Sequence, residues 1–289
     1  MKFLKAIFLF FVPYGLVKLY ANYKESKKPD LRLQDQHKAE RDANQLEETV
    51  LENDRKTISV DYNAITHFFM ETFNIEESHV LGGSIPQENC DRIIQAIVKN
   101  YSTNRITGLN IGNFLGVAFT YILSNMVQNN NQSTFVSVDP NIPHRGISDL
   151  ETKFISCLHE YNLQDNSLII NGYSLRKNTS NDGVIFDNYD PKEAFDLEKG
   201  CTGVLDKLTQ LGKNNFQFVI LDGNHHSEYL QQELERCTSL LAPNGILFLD
   251  DIDKNWKLLK KSAFHFLKAN NHAFEELYYD GRILALRRK

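Results

Sequence analysis

The sequence is poor in cysteine: its 289 residues include four, and no two of them form a C-x-x-C pair. The four are widely spaced, at Cys90, Cys157, Cys201 and Cys237. This pattern argues against a cysteine zinc site and is typical of reduced core thiols in a cytosolic protein. A basic excess is also lacking, because 32 Lys and Arg stand against 37 Asp and Glu, a formal charge of −5. That balance argues against a nucleic-acid-binding protein.

Long apolar runs are absent as well, since no segment reaches the roughly 20 uninterrupted apolar residues of a membrane-spanning helix. The sequence nevertheless has 42% hydrophobic and 11% aromatic residues, more than a disordered chain carries. A globular protein with a sizeable core is therefore expected, with room for one large domain or two small ones.

Residues 1–24 are predicted to be a hydrophobic tail that associates with the membrane. An apolar stretch, AIFLFFVPYGLV at positions 6–17, has lysines on both sides and is interrupted by Pro13 and Gly15. It is too short to span a bilayer and lacks a good signal-peptidase site. Its basic flanks favour peripheral contact of residues 6–20 with the inner face of the membrane, and the expected location is the cytoplasm. The alternative is a hydrophobic helix that packs on the protein itself or on a second subunit.

Residues 25–84 are predicted to form a helical linker and N-terminal helices. The charged segment 25–56 has a narrow helical stripe, formed by Ala39, Ala43, Leu46 and Val50. That stripe fits a spacer helix, a seam for homo-oligomerisation or a helix on the surface. Residues 61–73 place several apolar side chains at helical spacing, which predicts a helix packed on the core.

Residues 85–289 alternate short apolar runs with amphipathic segments, which is typical of an α/β domain with a mainly parallel sheet. Strands are predicted at 106–111, 134–138, 167–170, 216–221, 246–249, 274–279 and 282–286. Helices are predicted at 86–99, 113–128, 148–161, 203–211, 227–241 and from about 256 to 266. The pair Asp280-Gly281 between two apolar runs predicts a hairpin, so the last strand should be antiparallel to its neighbour. Residues 176–203 are interpreted as an insertion or substrate loop.

A glycine turn after the first predicted strand is the first candidate binding element. Gly112 and Gly116 lie where a ligand could approach the backbone, before a helix with free N–H groups. Asp139 ends the second strand, where a carboxylate can accept hydrogen bonds from ribose hydroxyls. The G-x-G-x-x-G pattern of a pyrophosphate site is missing, so the spacing favours a nucleoside cofactor without phosphates. A tight turn that binds nothing is the alternative for the glycines alone.

Acidic residues follow two later strands and form a candidate metal site. Asp222 ends one strand, and Asp250 and Asp251 end the next. Neighbouring strands lie about 4.8 Å apart, so these carboxylates can converge on a Mg²⁺ or Mn²⁺ ion. Solvated strand ends or helix caps are the alternative. His225 lies beside this cluster and is the candidate general base.

The segments LNIGNFLG, VSVDP and VILDGNHHSEYLQQELERCTSLLAPNGILFLDDI, with the closing Asp-Gly hairpin, together resemble class I S-adenosylmethionine-dependent methyltransferases. Within that class the chain is most similar to the metal-dependent O-methyltransferases of antibiotic sugars. The tail motif VPYGLVKLY also resembles tails of bacterial proteins that build surface polysaccharides. The resemblance implies a Rossmann-like, seven-stranded, mostly parallel sheet with an antiparallel C-terminal hairpin.

The resemblance also implies roles for single residues. Those expected to bind the methyl donor are Asn110, Gly112, Asn113 and Gly116 at its methionine part, Asp139 at its ribose and Ser174 near its adenine. The metal ligands would be Asp222, Asp250 and Asp251, and the base would be His225. Two departures stand out. Asn110 replaces an acidic residue of many relatives, and Asn224 replaces a second carboxylate.

The expected function is therefore an S-adenosylmethionine-dependent O-methyltransferase that methylates a hydroxyl of a sugar, a surface glycan or another small molecule, with help from a divalent metal. A nicotinamide-dependent oxidoreductase on a similar sheet is one alternative, and the missing G-x-G-x-x-G pattern counts against it. A catalytically silent binding protein with a methyltransferase fold is the other, and Asn110 and Asn224 mildly favour it.

Overall fold

The computed structural model describes residues 60–101, 105–175 and 203–289. The expectations for the tail, for the stripe between residues 39 and 50 and for the substrate loop lie outside these residues. The described helices are α1 Tyr62–Phe73, α2 Glu77–Gly82, α3 Gln87–Tyr101, α4 Val117–Asn129, α5 Leu150–Glu160, α6 Val204–Gln210, α7 Ser227–Leu240 and α8 Lys257–Ala269. The strands are β1 Thr107–Ile111, β2 Thr134–Asp139, β3 Ser167–Asn171, β4 Phe216–Leu221, β5 Leu241–Leu249, β6 Phe274–Tyr279 and β7 Leu284–Arg288.

The seven strands form one sheet in the order β3-β2-β1-β4-β5-β7-β6. β1 pairs in parallel with β2 and β4, and the parallel ladders continue to β3 on one side and β5 on the other. β7 inserts between β5 and β6 and is antiparallel to both. The predicted fold class, with its antiparallel last strand, is therefore confirmed.

Two layers of helices cover the sheet, one on each face, and each buries its own apolar core. The first core contains stacked Phe119 and Phe135, with ring centroids 4.2 Å apart, and it includes Ile65 and Phe69 of α1. The second core contains leucines of α7 and β5, such as Leu234 and Leu247. Because α1 shares the first core with the strands, residues 60–84 pack with the sheet in the same compact unit. The domain boundary near residue 85 stays a prediction.

Helix α4 begins four residues later than the sequence pattern predicts. Residues 112–116 include three with positive φ, namely Gly112 at 84°, Phe114 at 50° and Gly116 at 83°. Since an α-helix requires negative φ throughout, this segment is a loop and the helix begins at Val117. The segment is consequently a shaped turn at the edge of the sheet.

Strand β5 begins five residues earlier than predicted. Leu241 is buried and pairs with Phe216, and the register shifts before Ile246 pairs with Phe218. Asn244, with φ of 60°, allows the Pro243-Asn244-Gly245 segment to lie within the strand as an irregularity. The predicted turn is real, but it interrupts a strand instead of preceding one.

None of the helices in the described ranges is long and apolar enough to cross a membrane. Cys90, Cys157 and Cys237 are buried free thiols, and Cys201 lies outside those ranges.

Candidate functional site

A cavity of about 430 Å³ opens where the strands β1 to β5 end. Parallel strands place their carboxyl ends at one edge, and ligands of open α/β sheets bind at that edge. Of the ten residues predicted for the site, seven line the cavity: Gly112, Asn113, Asp139, Ser174, Asp222, His225 and Asp251. The other three, Asn110, Gly116 and Asp250, contact the lining residues or the core instead.

The loop after β1 contacts the loop after β4 so tightly that only glycine fits at its start. A Cβ atom on Gly112 would lie 1.9 Å from the carbonyl oxygen of Asp222. Gly116 has a different role, because a Cβ atom there would lie 2.1 Å from the buried ring of Phe154. Gly112 therefore shapes the cavity, whereas Gly116 lets α4 pack against α5.

Asp139 holds this loop in place. One carboxylate oxygen accepts hydrogen bonds from the backbone N–H groups of Asn113, at 2.5 Å, and Phe114, at 3.2 Å. The other accepts the N–H of Asn141 at 2.7 Å. Burial raises the pKa of Asp139, and these three N–H groups oppose the rise. The carboxylate lines the cavity and at the same time joins the loops after β1 and β2.

Asn113 and Asn110 differ in their partners. Both side-chain amide atoms of Asn113 are buried without a hydrogen-bond partner in a residue that lines the cavity. Buried polar atoms are seldom left unpaired, so this amide is suited to a polar ligand. Asn110 is 5% exposed, and its amide nitrogen donates to the carbonyl oxygen of Gly112 at 2.5 Å. Asn110 therefore stabilises the glycine turn from behind.

Near β3, three polar side chains form a buried cluster. The Ser174 hydroxyl lies 2.5 Å from a carboxyl oxygen of Glu233 and 3.2 Å from the Tyr229 hydroxyl oxygen. Burial raises the pKa of Glu233 to about 8, so this carboxyl is largely neutral at pH 7. Glu233 lines the cavity and was not expected from the sequence. Its spacing from Leu230, Leu234 and Cys237 places Glu233 on the buried face of α7. This spacing is the feature of the sequence from which its burial could have been predicted.

The acidic end of the cavity is formed by Asp222, His225 and Asp251. One ligand atom from each of these residues lies within 4.8 Å of the others. His225 Nε2 lies 2.6 Å from Asp251 Oδ2, and the His225 ring stacks on Trp256 with centroids 4.4 Å apart. Asp251 has a φ of 55°, so the chain has already left the extended strand conformation at this position. This departure lets Asp251 face the cavity beside Asp222.

Asp250 does not line the cavity itself, and its carboxylate binds Arg282. The Arg282 Nε and Nη2 atoms donate to its two carboxylate oxygens at 2.7 Å and 2.6 Å. Arg282 also contacts Asp251 at 3.1 Å. Of the three predicted metal ligands, Asp222 and Asp251 thus line the cavity, beside His225. Arg282 was not predicted from the sequence, because it lies in the hairpin turn far along the chain.

The electrostatics of this end differ from residue to residue. Burial raises the pKa of Asp222 well above its usual value, and nearby Asp250 and Asp251 raise it further. Burial raises the pKa of Asp250 as well, although Arg282 opposes that rise. Burial also acts to raise the pKa of Asp251, but the hydrogen bond to His225 and the charge of Arg282 outweigh it and hold that pKa below the usual range.

These residues suit a divalent cation and a nucleoside ligand. The carboxylates of Asp222 and Asp251 are oxygen donors that Mg²⁺ and Mn²⁺ accept, and a cation would relieve the repulsion that disfavours ionised Asp222. At the other end, the unpartnered Asn113 amide and the Ser174 cluster offer polar contacts to a nucleoside. Asn224 accepts the backbone N–H of His226 at 2.8 Å, which makes it a turn residue before α7.

Known proteins resemble this chain both in sequence and in fold. Residues 109–252 match a family model described as a methyltransferase domain. A protein from Staphylococcus aureus proposed to be a caffeoyl-CoA O-methyltransferase has a similar structure, with 12% identity, a TM-score of 0.50, and coverage of 84% of this chain and 100% of that one. The O-methyltransferase TomG of Streptomyces achromogenes, involved in tomaymycin synthesis, has 13% identity and a TM-score of 0.50 over 79% of this chain and 89% of its own.

A third similar structure is that of CalS11, a calicheamicin methyltransferase, with 12% identity, a TM-score of 0.50, and coverage of 78% of this chain and 91% of that one. No curated protein matches the sequence. At such low identities the structures establish the fold, and the family model establishes the methyltransferase domain. The chain therefore contains a methyltransferase domain at residues 109–252, and its fold is the one that these solved methyltransferases share.

Proposed function

We propose that the protein transfers the methyl group of S-adenosylmethionine to a hydroxyl oxygen of a sugar or glycan acceptor, with a divalent cation at the acidic end of the cavity. The observation that carries the proposal is that one cavity extends from the ends of β1, β2 and β3 to the acidic end formed by Asp222, His225 and Asp251. The Ser174 and Asp139 side chains line the first, and Asp222 and Asp251 line the second. A methyl donor and a coordinated acceptor would therefore meet inside one enclosure.

The residues of the first end bind and orient the donor. Asp139 fixes the loop that carries Gly112 and Asn113, and the Asn113 amide supplies hydrogen bonds that no protein group takes up. The Ser174 hydroxyl, which lies beside Glu233, is placed near the adenine of the donor in this proposal. The donor supplies an electrophilic methyl group on a sulfonium sulfur. Alignment of that group with the attacking oxygen accounts for much of the acceleration in a displacement of this kind.

The residues of the acidic end prepare the acceptor. Asp222 and Asp251 would hold the cation, which would supply a positive charge that lowers the pKa of the acceptor hydroxyl. His225, oriented by Asp251 and by the Trp256 ring, accepts the hydroxyl proton. As the oxygen–methyl bond forms, the carbon–sulfur bond breaks and its electron pair stays on sulfur. The products are a methyl ether and S-adenosylhomocysteine.

The choice of a sugar rests on resemblance. Residues 85–289 resemble the metal-dependent O-methyltransferases of antibiotic sugars, and the structural neighbour CalS11 is a calicheamicin methyltransferase. The N-terminal tail favours an acceptor made near the inner face of the membrane, such as a surface glycan.

The test is a methyl-transfer assay on purified protein with a panel of sugars and nucleotide sugars, read by mass spectrometry. We expect a mass gain of one methyl group on at least one acceptor, loss of turnover with a chelator, and recovery with Mg²⁺ or Mn²⁺. Asp251→Asn should lose turnover and retain binding of S-adenosylhomocysteine. Methylation of aromatic hydroxyls alone would overturn the sugar assignment, and full activity with a chelator would overturn the role of the metal.

A further inference from the structure

The cavity has a third end, at Arg145, a residue to which the proposed function gives no role. It is formed by the loop after β1, the loop after β2 and the end of α2. A Cβ atom on Gly83 would lie only 2.5 Å from the Phe114 ring. The centroid of this ring is 5.5 Å from the centroid of the His144 ring. The next residue, Arg145, lines the cavity at this end.

The Arg145 guanidinium has no carboxylate partner among the described residues. Its Nε atom is buried and makes no hydrogen bond there. The other cavity arginine, Arg282, is by contrast bonded to Asp250 and Asp251. Leaving a buried donor unpaired costs about 1–3 kcal/mol, and more when the group is charged. An arginine that lines a cavity with its Nε–H buried and unpaired therefore favours an oxyanion as its partner.

The backbone and a neighbouring glycine position Arg145. His144 and Ile147 exchange two backbone hydrogen bonds, of 3.0 Å and 2.9 Å, around a two-residue turn in which Arg145 has φ of 51° and Gly146 has φ of 72°. The guanidinium lies against Gly82, because a Cβ atom there would be 3.2 Å from Arg145 Nη1. A larger residue at position 82 would displace the guanidinium.

A second unpaired group supports the same conclusion. Asn113 lies in the loop after β1, which also forms this end of the cavity, and its side-chain amide is likewise buried without a partner. Arg145 also lies close enough to Asp251 to help lower the pKa of that carboxyl, so this end adjoins the acidic end. The Ser174 cluster lies near β3, so the nucleoside and the group bound at Arg145 contact different walls.

We infer that Arg145 and Asn113 form an oxyanion-binding subsite, with the Arg145 fork binding a carboxylate or phosphate in bidentate fashion. Two sources fit this chemistry: the carboxylate at the amino-acid end of the methyl donor, and an anionic group on the acceptor. The inference rests on the proposed function, because both ligands belong to the proposed reaction.

The experiment is isothermal titration of wild type and Arg145→Met with two nucleosides. S-adenosylhomocysteine carries the carboxylate, and 5′-methylthioadenosine is the same nucleoside thioether without the amino acid. If the subsite binds the donor, Arg145→Met weakens S-adenosylhomocysteine binding by at least about tenfold and leaves methylthioadenosine binding unchanged. Added NaCl should weaken the first affinity in wild type more than in the variant.

A second arm detects an acceptor anion. Protein saturated with S-adenosylhomocysteine is titrated with glucose 1-phosphate and with glucose. If the subsite binds the acceptor, Arg145→Met loses the preference for the phosphate while binding of both nucleosides stays unchanged. Arg145→Lys should recover part of either effect, because it retains the charge without the planar fork.

The matched control is Arg236→Met, which removes an arginine that binds Asp206 away from the cavity. Thermal unfolding of each variant checks the fold. The inference is overturned if Arg145→Met leaves all four affinities unchanged, or if it weakens both nucleosides equally. Failure of wild type to bind either nucleoside would instead refute the proposed donor site, and the glucose 1-phosphate arm would then decide on the subsite.

Discussion

Asp250 and Asp251 are sequence neighbours with opposite surroundings. Asp250 is 3% exposed and bonded through both oxygens to Arg282, whereas Asp251 faces the cavity beside His225. Removing one partner of a buried ion pair leaves the other charge uncompensated. Replacing each carboxylate by an amide should therefore affect different properties of the protein, its stability for Asp250 and metal binding for Asp251.

We expect Asp250→Asn to lower the free energy of unfolding by about 2–4 kcal/mol, because Arg282 loses a bidentate partner. Asp251→Asn should cost less stability and abolish binding of Mn²⁺. Urea unfolding followed by circular dichroism measures the first effect, and electron paramagnetic resonance of Mn²⁺ measures the second. Equal loss of Mn²⁺ binding with unchanged stability in both variants would instead show that Asp250 is a metal ligand, as the sequence predicts.

Glu233 should make stability depend on pH. Its pKa is raised from 4.5 to about 8 by burial, so the folded protein keeps a proton that the unfolded chain releases above about pH 4.5. This contribution to stability is complete below pH 4.5 and is lost as pH rises towards 8, with a slope of up to about 1.4 kcal/mol per pH unit.

Glu233→Gln should remove that slope. The free energy of unfolding of the variant, relative to that of wild type, should therefore be higher at pH 8 than at pH 5. Chemical unfolding at pH 5, 6, 7 and 8 gives both curves. Parallel curves would show that Glu233 is already ionised in the folded protein.

At the scale of elements, the turn after β1 has to accommodate the turn after β4. Gly112 has a φ of 84° and a neighbouring carbonyl oxygen 1.9 Å from the position of a Cβ atom, whereas Gly212 has a φ of 66° with no atom within 4 Å. Gly212→Ala therefore incurs backbone strain alone, of about 1–2 kcal/mol. Gly112→Ala adds a clash between the two loops that form the cavity.

We expect Gly112→Ala to lose more stability than Gly212→Ala and also to lose binding of S-adenosylhomocysteine, which Gly212→Ala should retain. Thermal unfolding with and without the ligand distinguishes the two variants. A ligand-induced shift of the same size in both would mean that the β1 turn does not shape the donor site.

The C-terminal hairpin places Arg282 against the acidic end. Asp280 accepts the backbone N–H groups of Arg282 at 3.0 Å and Ile283 at 2.7 Å, and its other oxygen accepts from the Asn89 amide at 3.0 Å. The Asp-Gly pair predicted this hairpin from the sequence. The pairing of Arg282 with Asp250 could not be predicted, because it depends on β7 lying beside β5 in the folded sheet.

At the scale of the whole molecule, the alternation of apolar runs was enough to predict the sheet. Period and length identified the strands, and the edge at which parallel strands end then followed. Boundaries were wrong where backbone conformation overrode the pattern, as at Val117, where positive φ values delay α4. The predicted residues converge on one cavity because they follow strands that are neighbours in the sheet.

The direction in which a side chain points could not be predicted from the sequence. Whether an aspartate at a strand end faces a ligand or an arginine depends on where the strand conformation ends, and Asp251 faces the cavity because its φ is 55°. Glu233 was hidden for a similar reason, since a glutamate on a helix is usually exposed. The tertiary fold decides both cases.

A crystal structure of the full chain with S-adenosylhomocysteine and Mn²⁺, recorded with anomalous scattering, tests the central claim most directly. The account predicts nucleoside density between Asp139 and Ser174, and one anomalous peak within coordination distance of Asp222 and Asp251. Nucleoside density outside the cavity, or an anomalous peak away from these two carboxylates, would contradict it.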